Sequence, residues 1–333
     1  MWGLCRAVMF CCDQVERPVA IAHHDNLVTY LGFVFYGPVL VGPLLAHADY
    51  LAALSPAAAV GPGWTRLRRL GAGLLRLTGW LLVIELSNHL IHYHALVYSP
   101  DDVQRLFGRW EIAGLNYWAG QLFHVKYVFC YGVPCALAAF EGVRTPLPPR
   151  CVSWIASYSD MWKYFDHGLY LFMQRHIHGP LCGARPSPLR RMLASAVVFA
   201  FVFAWHGLMP HILLWAATNF VCVTLERLGA RLAASRRGLE WRRVVGAALR
   251  RRCHALLAAP LFLVSLVSQV GFITNSGELG WLAMVEGLAP ASSADMLVTL
   301  GFLYCGVQVS YDVKRWRQLR ARLPRQQDKL KEA

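Results

Sequence analysis

Long apolar runs separated by short charged segments form the dominant pattern of this chain. A helix that crosses a bilayer needs about 20 mostly apolar residues. Runs that approach this length occupy residues 27–46, 77–97, 112–140, 192–225, 254–273 and 296–311. The 192–225 run contains no Asp, Glu, Lys or Arg. The pattern predicts an all-α fold, a single polytopic bundle of membrane helices.

Two of these runs contain residues that interrupt a straight helix. The Gly-Pro pairs at residues 37–38 and 42–43 should kink or break the first run. His124 and Lys126 interrupt the 112–140 run, which forms either one long tilted helix or two short pieces. A further segment, residues 161–178, has apolar residues at helical spacing among charged ones. It is predicted to be an amphipathic helix that lies at the membrane interface or re-enters the membrane.

The charged residues predict an orientation for the bundle. Only 16% of residues are charged, against 56% hydrophobic, and the formal net charge is +14. Residues 227–252 hold nine arginines and one acid, and residues 312–333 hold eight Lys or Arg and three acids. Cytosolic loops carry such an excess, so both segments are predicted to be cytosolic and the 274–295 loop to be lumenal. Because no basic stripe interleaved with aromatic residues lies on a soluble domain, nucleic-acid binding is not predicted.

His206 is the first candidate for chemistry, because it is an ionisable side chain inside the 192–225 run. Ionisable groups at membrane depth are costly, face the interior of a bundle and mark functional sites. Trp205, Gly207 and Pro210 surround it and predict a broken helix, which favours a functional site. The alternative is a histidine that is hydrogen-bonded inside the bundle for packing alone.

Three other polar features are weaker candidates. Asp166, in MWKYFDHGL, is either a site residue or a carboxylate that faces headgroup water. Glu85, His89 and His92 fall on one helical face and could hold a metal, although a polar stripe that lines a cavity explains them more simply. Cys151 lies at a predicted membrane boundary and could be a structural thiol, a lipidation site or a haem ligand.

Several motifs together resemble the membrane-bound O-acyltransferase superfamily, and within it the branch that palmitoylates the N-terminal cysteine of Hedgehog proteins. They are WKYFDHGLYLFMQRHIHGPL, the WHG that follows and LLWAATNFVCVTLE, with further similarity from FYGPVLVGPL to GFLYC. The resemblance implies that His206 is the catalytic histidine. It places Asp166 at the second catalytic position, where branches that acylate hydroxyls typically carry Asn. His206 would deprotonate the acceptor amine, and Asp166 would hold the ammonium or orient the imidazole.

The same resemblance assigns further residues and ligands. Trp162, Trp205 and Asn219 would bind the acyl-CoA, and Cys151 would hold haem through its thiolate. Palmitoyl-CoA is the implied acyl donor, a Hedgehog-type secreted protein is the acceptor, and membrane lipids surround the bundle. Lys163 stands where the family often has Arg, which keeps the charge but loses a bidentate fork. The implied location is the membrane of the endoplasmic reticulum, with the Golgi as the alternative.

The resemblance also divides the chain. Residues 27–311 would form the acyltransferase core, residues 1–26 an N-terminal segment and residues 312–333 a basic cytosolic tail. Family members carry several spans before FYGPVLVGPL, so we expect this chain to lack those N-terminal spans. The predicted function is transfer of palmitate from acyl-CoA to the amine of an N-terminal cysteine. The alternatives are an acyltransferase that acts on a protein hydroxyl or a lysolipid, and a non-catalytic membrane scaffold or transporter.

Overall fold

The computed structural model of the chain describes residues 2–16, 27–54, 62–274 and 291–331, and the regular structure within these ranges is helical throughout. In chain order the elements are α1 (Trp2–Glu16), α2 (Leu27–Val34), a 3-10 turn (Gly37–Val39), α3 (His47–Leu54), α4 (Gly63–Ile91), α5 (Tyr93–Val97), α6 (Pro100–Leu106), α7 (Arg109–Glu141), a 3-10 turn (Val152–Trp154), α8 (Tyr158–Phe165), α9 (His167–Met173), a π-helical turn (Gln174–His178), α10 (Gly179–Cys182), α11 (Pro188–Trp205), α12 (Pro210–Ala234), α13 (Arg236–Val244), α14 (Ala247–Thr274) and α15 (Ser293–Lys331). The all-α prediction is confirmed over the described residues.

Six of the described helices are long and apolar enough to cross a membrane: α4, α7, α11, α12, α14 and the Ser293–Arg320 part of α15. The 192–225 run supplies two of them, α11 and α12, rather than one. The 27–46 run supplies none, because α2 has eight residues and ends at Val34 ahead of the first Gly-Pro pair. The break that these pairs predict is therefore present.

Local sequence also explains where the longer helices continue and where they end. α7 remains one helix of 33 residues although it contains Pro134, which decides between the two alternatives for this run. Between α11 and α12, Gly207 has φ +111° and Leu208 has φ +57°. Glycine adopts such left-handed angles without strain, and Pro210 suits the first turn of the next helix. The chain reverses here, directly after His206.

The predicted amphipathic helix at 161–178 is helical but discontinuous. α8 ends at Phe165 and α9 begins at His167, and Asp166 stands between them with φ −121° and ψ +87°. Both helices are short, at eight and seven residues. The interruption places an acidic residue at the junction of two helices instead of on the face of one.

The arginine-rich ends of α14 and α15 lie together. Arg251 donates to both carboxylate oxygens of Asp312, at 2.7 and 2.8 Å, and to the carbonyl of Gln308 at 2.8 Å. The two basic segments therefore lie at the same end of the bundle, as the distribution of charge predicts. α15 has 39 residues, which gives a helix of about 58 Å. Its basic half extends beyond a hydrocarbon core of about 30 Å.

The N-terminal helix α1 is part of the core. Arg6 is 1% exposed, and its guanidinium donates to the carbonyls of Val34, at 3.0 Å, and Val39. Other residues of α1 pack in the apolar cluster that contains Val202 of α11 and Trp215 of α12. This cluster fixes α1 and the helical break after α11 in one packed unit.

Candidate active site

His206 directly follows the last residue of α11, and two aromatic rings hold its imidazole from other helices. The imidazole centroid lies 5.4 Å from the ring of Trp215 and 5.0 Å from that of Phe272, with interplanar angles of 89° and 86°. Trp215 and Phe272 stack on each other at 4.2 Å. Phe272 lies near the C-terminal end of α14, and Arg251 lies near its N-terminal end. The imidazole is therefore at the end of the bundle opposite the arginine-rich end.

The His206 imidazole is suited to accept a proton. Burial lowers its pKa below the usual value, which favours the neutral form of the ring. Within the described part of the chain, no side chain forms a hydrogen bond or an ion pair with this ring. A neutral imidazole with no protein partner can receive a proton from a bound molecule.

The indole of Trp205 faces α1 rather than the imidazole next to it in sequence. Its ring lies 5.2 Å from that of Trp2, edge to face at 80°. It also lies 5.7 Å from Phe201, one helical turn earlier in α11. α1 thus packs directly beside the break that carries His206.

Asp166 caps α9 and receives a second hydrogen bond from α7. One carboxylate oxygen accepts from the backbone N–H of Leu169 at 2.9 Å. The other accepts from the hydroxyl of Tyr131 at 2.7 Å. Burial raises the pKa of Asp166, and these two hydrogen bonds oppose that effect. A cation beside this carboxylate would favour its charged form.

A row of aromatic side chains separates Asp166 from His206. It starts at Tyr131, continues through Tyr127 at 5.3 Å and Phe123 at 4.9 Å, and reaches Phe272 at 6.0 Å. Phe272 is the ring that contacts the imidazole. No hydrogen bond or ion pair joins the two candidate catalytic residues in the described structure. The aromatic row offers an apolar surface between them.

Trp162 and Asn219 form the second side of the site. The indole N–H of Trp162 donates to the Asn219 side-chain oxygen at 3.1 Å, and the Asn219 amide donates to the carbonyl of Trp215 at 2.7 Å. Asn219 is 1% exposed. The Trp162 ring lies 5.5 Å from Trp215 and 5.0 Å from Phe199. These contacts attach α8 to α12 close to Trp215, the ring that contacts the His206 imidazole.

Three predicted residues contact Trp215: His206 and Trp162 through its indole ring, and Asn219 through its backbone carbonyl. Asp166 lies across the aromatic row, and Trp205 lies against α1. Trp215 was not predicted as a site residue, although its place four residues before Asn219 puts both on one face of a helix. Tyr131 and Phe272 were not predicted either, and no local spacing connects these two residues with the motifs.

The polar stripe on α4 does not assemble into a metal site. Glu85, His89 and His92 are all exposed. The rings of His89 and His92 lie 6.3 Å apart. The described residues contain no group of three or more His, Cys, Asp or Glu side chains that could hold a metal ion.

Cys151 precedes the 3-10 turn Val152–Trp154 as a single, partly buried thiol. Its neighbour Arg150 lies over the ring of Tyr164, at 3.4 Å from the centroid. A single thiolate can hold a haem iron, and the Arg150 guanidinium beside Cys151 is engaged by the Tyr164 ring. The role of Cys151 as a haem ligand stays a prediction.

The fold and site define a multi-pass helical membrane protein with a partly buried histidine between two spans. The chain matches the model of the MBOAT, membrane-bound O-acyltransferase, family over residues 3–268. It is 33% identical over 312 residues to "Protein-cysteine N-palmitoyltransferase Rasp" of Drosophila melanogaster, covering 93% of this chain and 61% of that protein. It is 35% identical over 287 residues to "Protein-cysteine N-palmitoyltransferase HHAT" of Mus musculus, covering 83% and 55%.

A third relative, "Protein-cysteine N-palmitoyltransferase HHAT-like protein" of Mus musculus, is 22% identical over 322 residues, covering 96% of this chain and 61% of that protein. The chain thus spans between 55% and 61% of the length of these three relatives. It belongs to the membrane-bound O-acyltransferase family.

Proposed function

We propose that the protein transfers a long-chain acyl group, palmitoyl, from acyl-CoA to the amine of an N-terminal cysteine on a Hedgehog-type secreted protein. The observation that carries the proposal is the placement of His206, a neutral imidazole at the break between two spanning helices. Two relatives at 33% and 35% identity are named protein-cysteine N-palmitoyltransferases, which supports a cysteine as the acceptor. The membrane of the endoplasmic reticulum is the proposed location, because a secreted acceptor is available on its lumenal side.

His206 acts as the general base in this proposal. An N-terminal α-ammonium has a pKa of about 8 and attacks only after it loses a proton. The imidazole takes that proton, and the free amine attacks the thioester carbonyl carbon. The carbon–sulfur bond then breaks, an amide forms, and the CoA thiolate leaves with the proton that the imidazolium returns. The attacking nitrogen gives up a second proton as the amide forms, so the products are the amide, CoA as its thiol and one proton released to solvent.

Asp166 holds the acceptor ammonium rather than the imidazole. Its carboxylate is bonded to Tyr131 and Leu169 and does not contact His206. Each carboxylate oxygen can accept more than one hydrogen bond, so both can still receive donors from a substrate. A carboxylate across the aromatic row from the base would attract the positively charged amine before deprotonation.

The aromatic row and Trp162 provide the apolar surface that a long acyl chain needs. A palmitoyl chain gains about 0.8 kcal/mol for each methylene that it buries. The segment from Tyr131 to Phe272 presents aromatic rings from α7 and α14 on the path between the two candidate residues. If the positive-inside orientation holds, the CoA end of the donor approaches from the arginine-rich end and the acceptor from the end near His206.

Acceptor competition tests this function against its nearest alternative. The purified chain in detergent is given palmitoyl-CoA with a peptide that begins with cysteine, with the same peptide acetylated at its amine, or with a lysolipid. We expect acylation of the free peptide alone, through a bond that resists hydroxylamine as an amide does. Acylation of the acetylated peptide or preferential acylation of the lysolipid would show a hydroxyl-, thiol- or lipid-directed enzyme instead.

A further inference from the structure

Glu226 connects α12 to the first turn of α8. One of its carboxylate oxygens accepts from the backbone N–H of Tyr158 at 2.7 Å. The other accepts from the backbone N–H of Ser159 at 2.9 Å and from its hydroxyl at 2.8 Å. Three donors from one helix therefore converge on one side chain of another, 67 or 68 residues away in sequence.

These bonds go beyond an ordinary helix cap. α8 already has a local cap, because the Ser157 hydroxyl accepts from the N–H of Asp160 at 3.1 Å. The N–H groups that Glu226 receives are the first two of the helix, and they point out of it. A carboxylate at this position also faces the positive end of the helix dipole. The contact thus fixes where α8 starts relative to α12.

A second contact fixes the direction of α8. Asn219 lies seven residues, or about two turns, before Glu226 on the same face of α12. It binds Trp162, which lies one turn after Tyr158 in α8. The later residue of α8 thus meets the earlier residue of α12, so the two helices run antiparallel. α8 points from the arginine-rich end of α12 toward the end that carries His206.

We propose that Glu226 is a positioning residue that sets the place of Trp162 and Asp166 relative to His206 by anchoring α8. The inference rests on the proposed function, which gives the positions of Trp162 and Asp166 their role in acyl transfer. Asp166 directly follows the last residue of α8, so a shift of the first turn moves the carboxylate with it. A displacement of about 1 Å in such a group can reduce turnover by about 100-fold.

The chemistry of the side chain predicts graded variants. Glu226→Gln is isosteric, but its amide nitrogen would face an N–H donor and only one oxygen would remain to accept. Glu226→Asp keeps the charge on a shorter stem, and Ser159→Ala removes one of the three donors. Glu240→Gln is the matched control, since Glu240 is an exposed glutamate whose partner is Arg236 at 3.3 Å.

Steady-state kinetics with palmitoyl-CoA and the cysteine peptide test the proposal. We expect kcat to fall about 10-fold or more in Glu226→Gln, with KM for palmitoyl-CoA changed by less than about threefold. Ser159→Ala and Glu240→Gln should stay within about threefold of the wild type, and Glu226→Asp should recover part of kcat. An unchanged kcat in Glu226→Gln in an active protein would overturn the positioning role and leave the proposed function intact.

Hydrogen–deuterium exchange tests the same contact without turnover. The amides of Tyr158 and Ser159 should exchange faster in Glu226→Gln than in the wild type or Glu240→Gln, because their acceptor is weakened. Unchanged exchange would overturn the proposal even if the wild-type chain failed to acylate the peptide. If Glu226→Gln fails to fold, Glu226→Asp provides the same comparison, and unaltered exchange and kcat in that variant would refute the proposal.

Discussion

The hydrogen bond between Asn219 and Trp162 is expected to stabilise the site measurably. Asn219→Ala removes two hydrogen bonds, at 3.1 Å to the Trp162 indole and 2.7 Å to the Trp215 carbonyl. The partly buried indole N–H of Trp162 loses its acceptor, which costs about 1–3 kcal/mol, and the volume vacated by Asn219 adds to this. We expect a total loss of about 2–4 kcal/mol in the free energy of unfolding.

Thr224→Ala is the matched control for this substitution. Thr224 lies in the same helix and donates to the carbonyl four residues before it, that of Phe220, at 2.8 Å. Asn219 makes the same kind of bond to Trp215, but it also accepts a bond from α8. Thr224→Ala should therefore cost only about 0.5–1.5 kcal/mol. The difference between the variants isolates the contact between helices.

A double-mutant cycle with Trp162→Phe measures that contact directly. Phenylalanine keeps an aromatic ring and loses the indole N–H. The coupling energy between Asn219→Ala and Trp162→Phe should lie near 0.6 kcal/mol and reach at most about 1.7 kcal/mol, the range found for hydrogen bonds inside membrane proteins. Unfolding by denaturant in detergent, followed by circular dichroism, provides the energies. A coupling of zero, with Asn219→Ala no worse than Thr224→Ala, would refute the reasoning.

Two further stability predictions use the same unfolding measurement. Gly168→Ala should destabilise the protein by about 1–3 kcal/mol, because a Cβ there would lie 2.5 Å from the backbone oxygen of Leu44; stability equal to the wild type would contradict this packing. Asp13→Asn should cost about 1–3 kcal/mol, because Asp13 is paired with Arg175 at 2.5 Å and His47 at 3.3 Å. Burial raises the pKa of Asp13, but the His47 hydrogen bond and the charge of Arg175 hold it below its usual value. The difference from the wild type should therefore be complete above about pH 4 and disappear only as the pH falls through the lower folded pKa.

The sequence predicts the features of this fold that arise from local chemistry. Apolar length locates the six spanning helices of the described residues, but it also marks residues 27–46, which form none, and it merges α11 and α12 into one run. The Gly-Pro pairs predict the end of α2, and Gly207 with Pro210 predicts the helical break after His206. The break at Asp166 is harder to predict, because its apolar neighbours keep helical spacing on both sides. Aspartate is nevertheless a common N-cap residue, so the aspartate itself was a signal for that break.

Contacts between distant parts of the chain could not be predicted in the same way. Tyr131 donates to a carboxylate 35 residues later, and Glu226 binds α8 across 67 residues. Trp2, near the N-terminus, packs against Trp205, which lies 203 residues later in the sequence. Such pairings depend on how helices pack in three dimensions, and neither hydrophobic period nor motif spacing encodes the partner. Whether Asp166 orients the imidazole also depends on such packing. The geometry favours the other role of Asp166, in which it holds the acceptor ammonium.

The most direct test of the account is transfer of palmitate from palmitoyl-CoA to a cysteine peptide by the wild type, His206→Ala and Asp166→Asn. His89→Ala serves as a control, since His89 is exposed on α4 and lies outside the site. We predict that His206→Ala loses about 10²–10⁴ of the rate, as removal of a general base does. Asp166→Asn should also lose activity, and His89→Ala should match the wild type. Near wild-type transfer by His206→Ala would contradict the assignment of the base and with it the proposed mechanism.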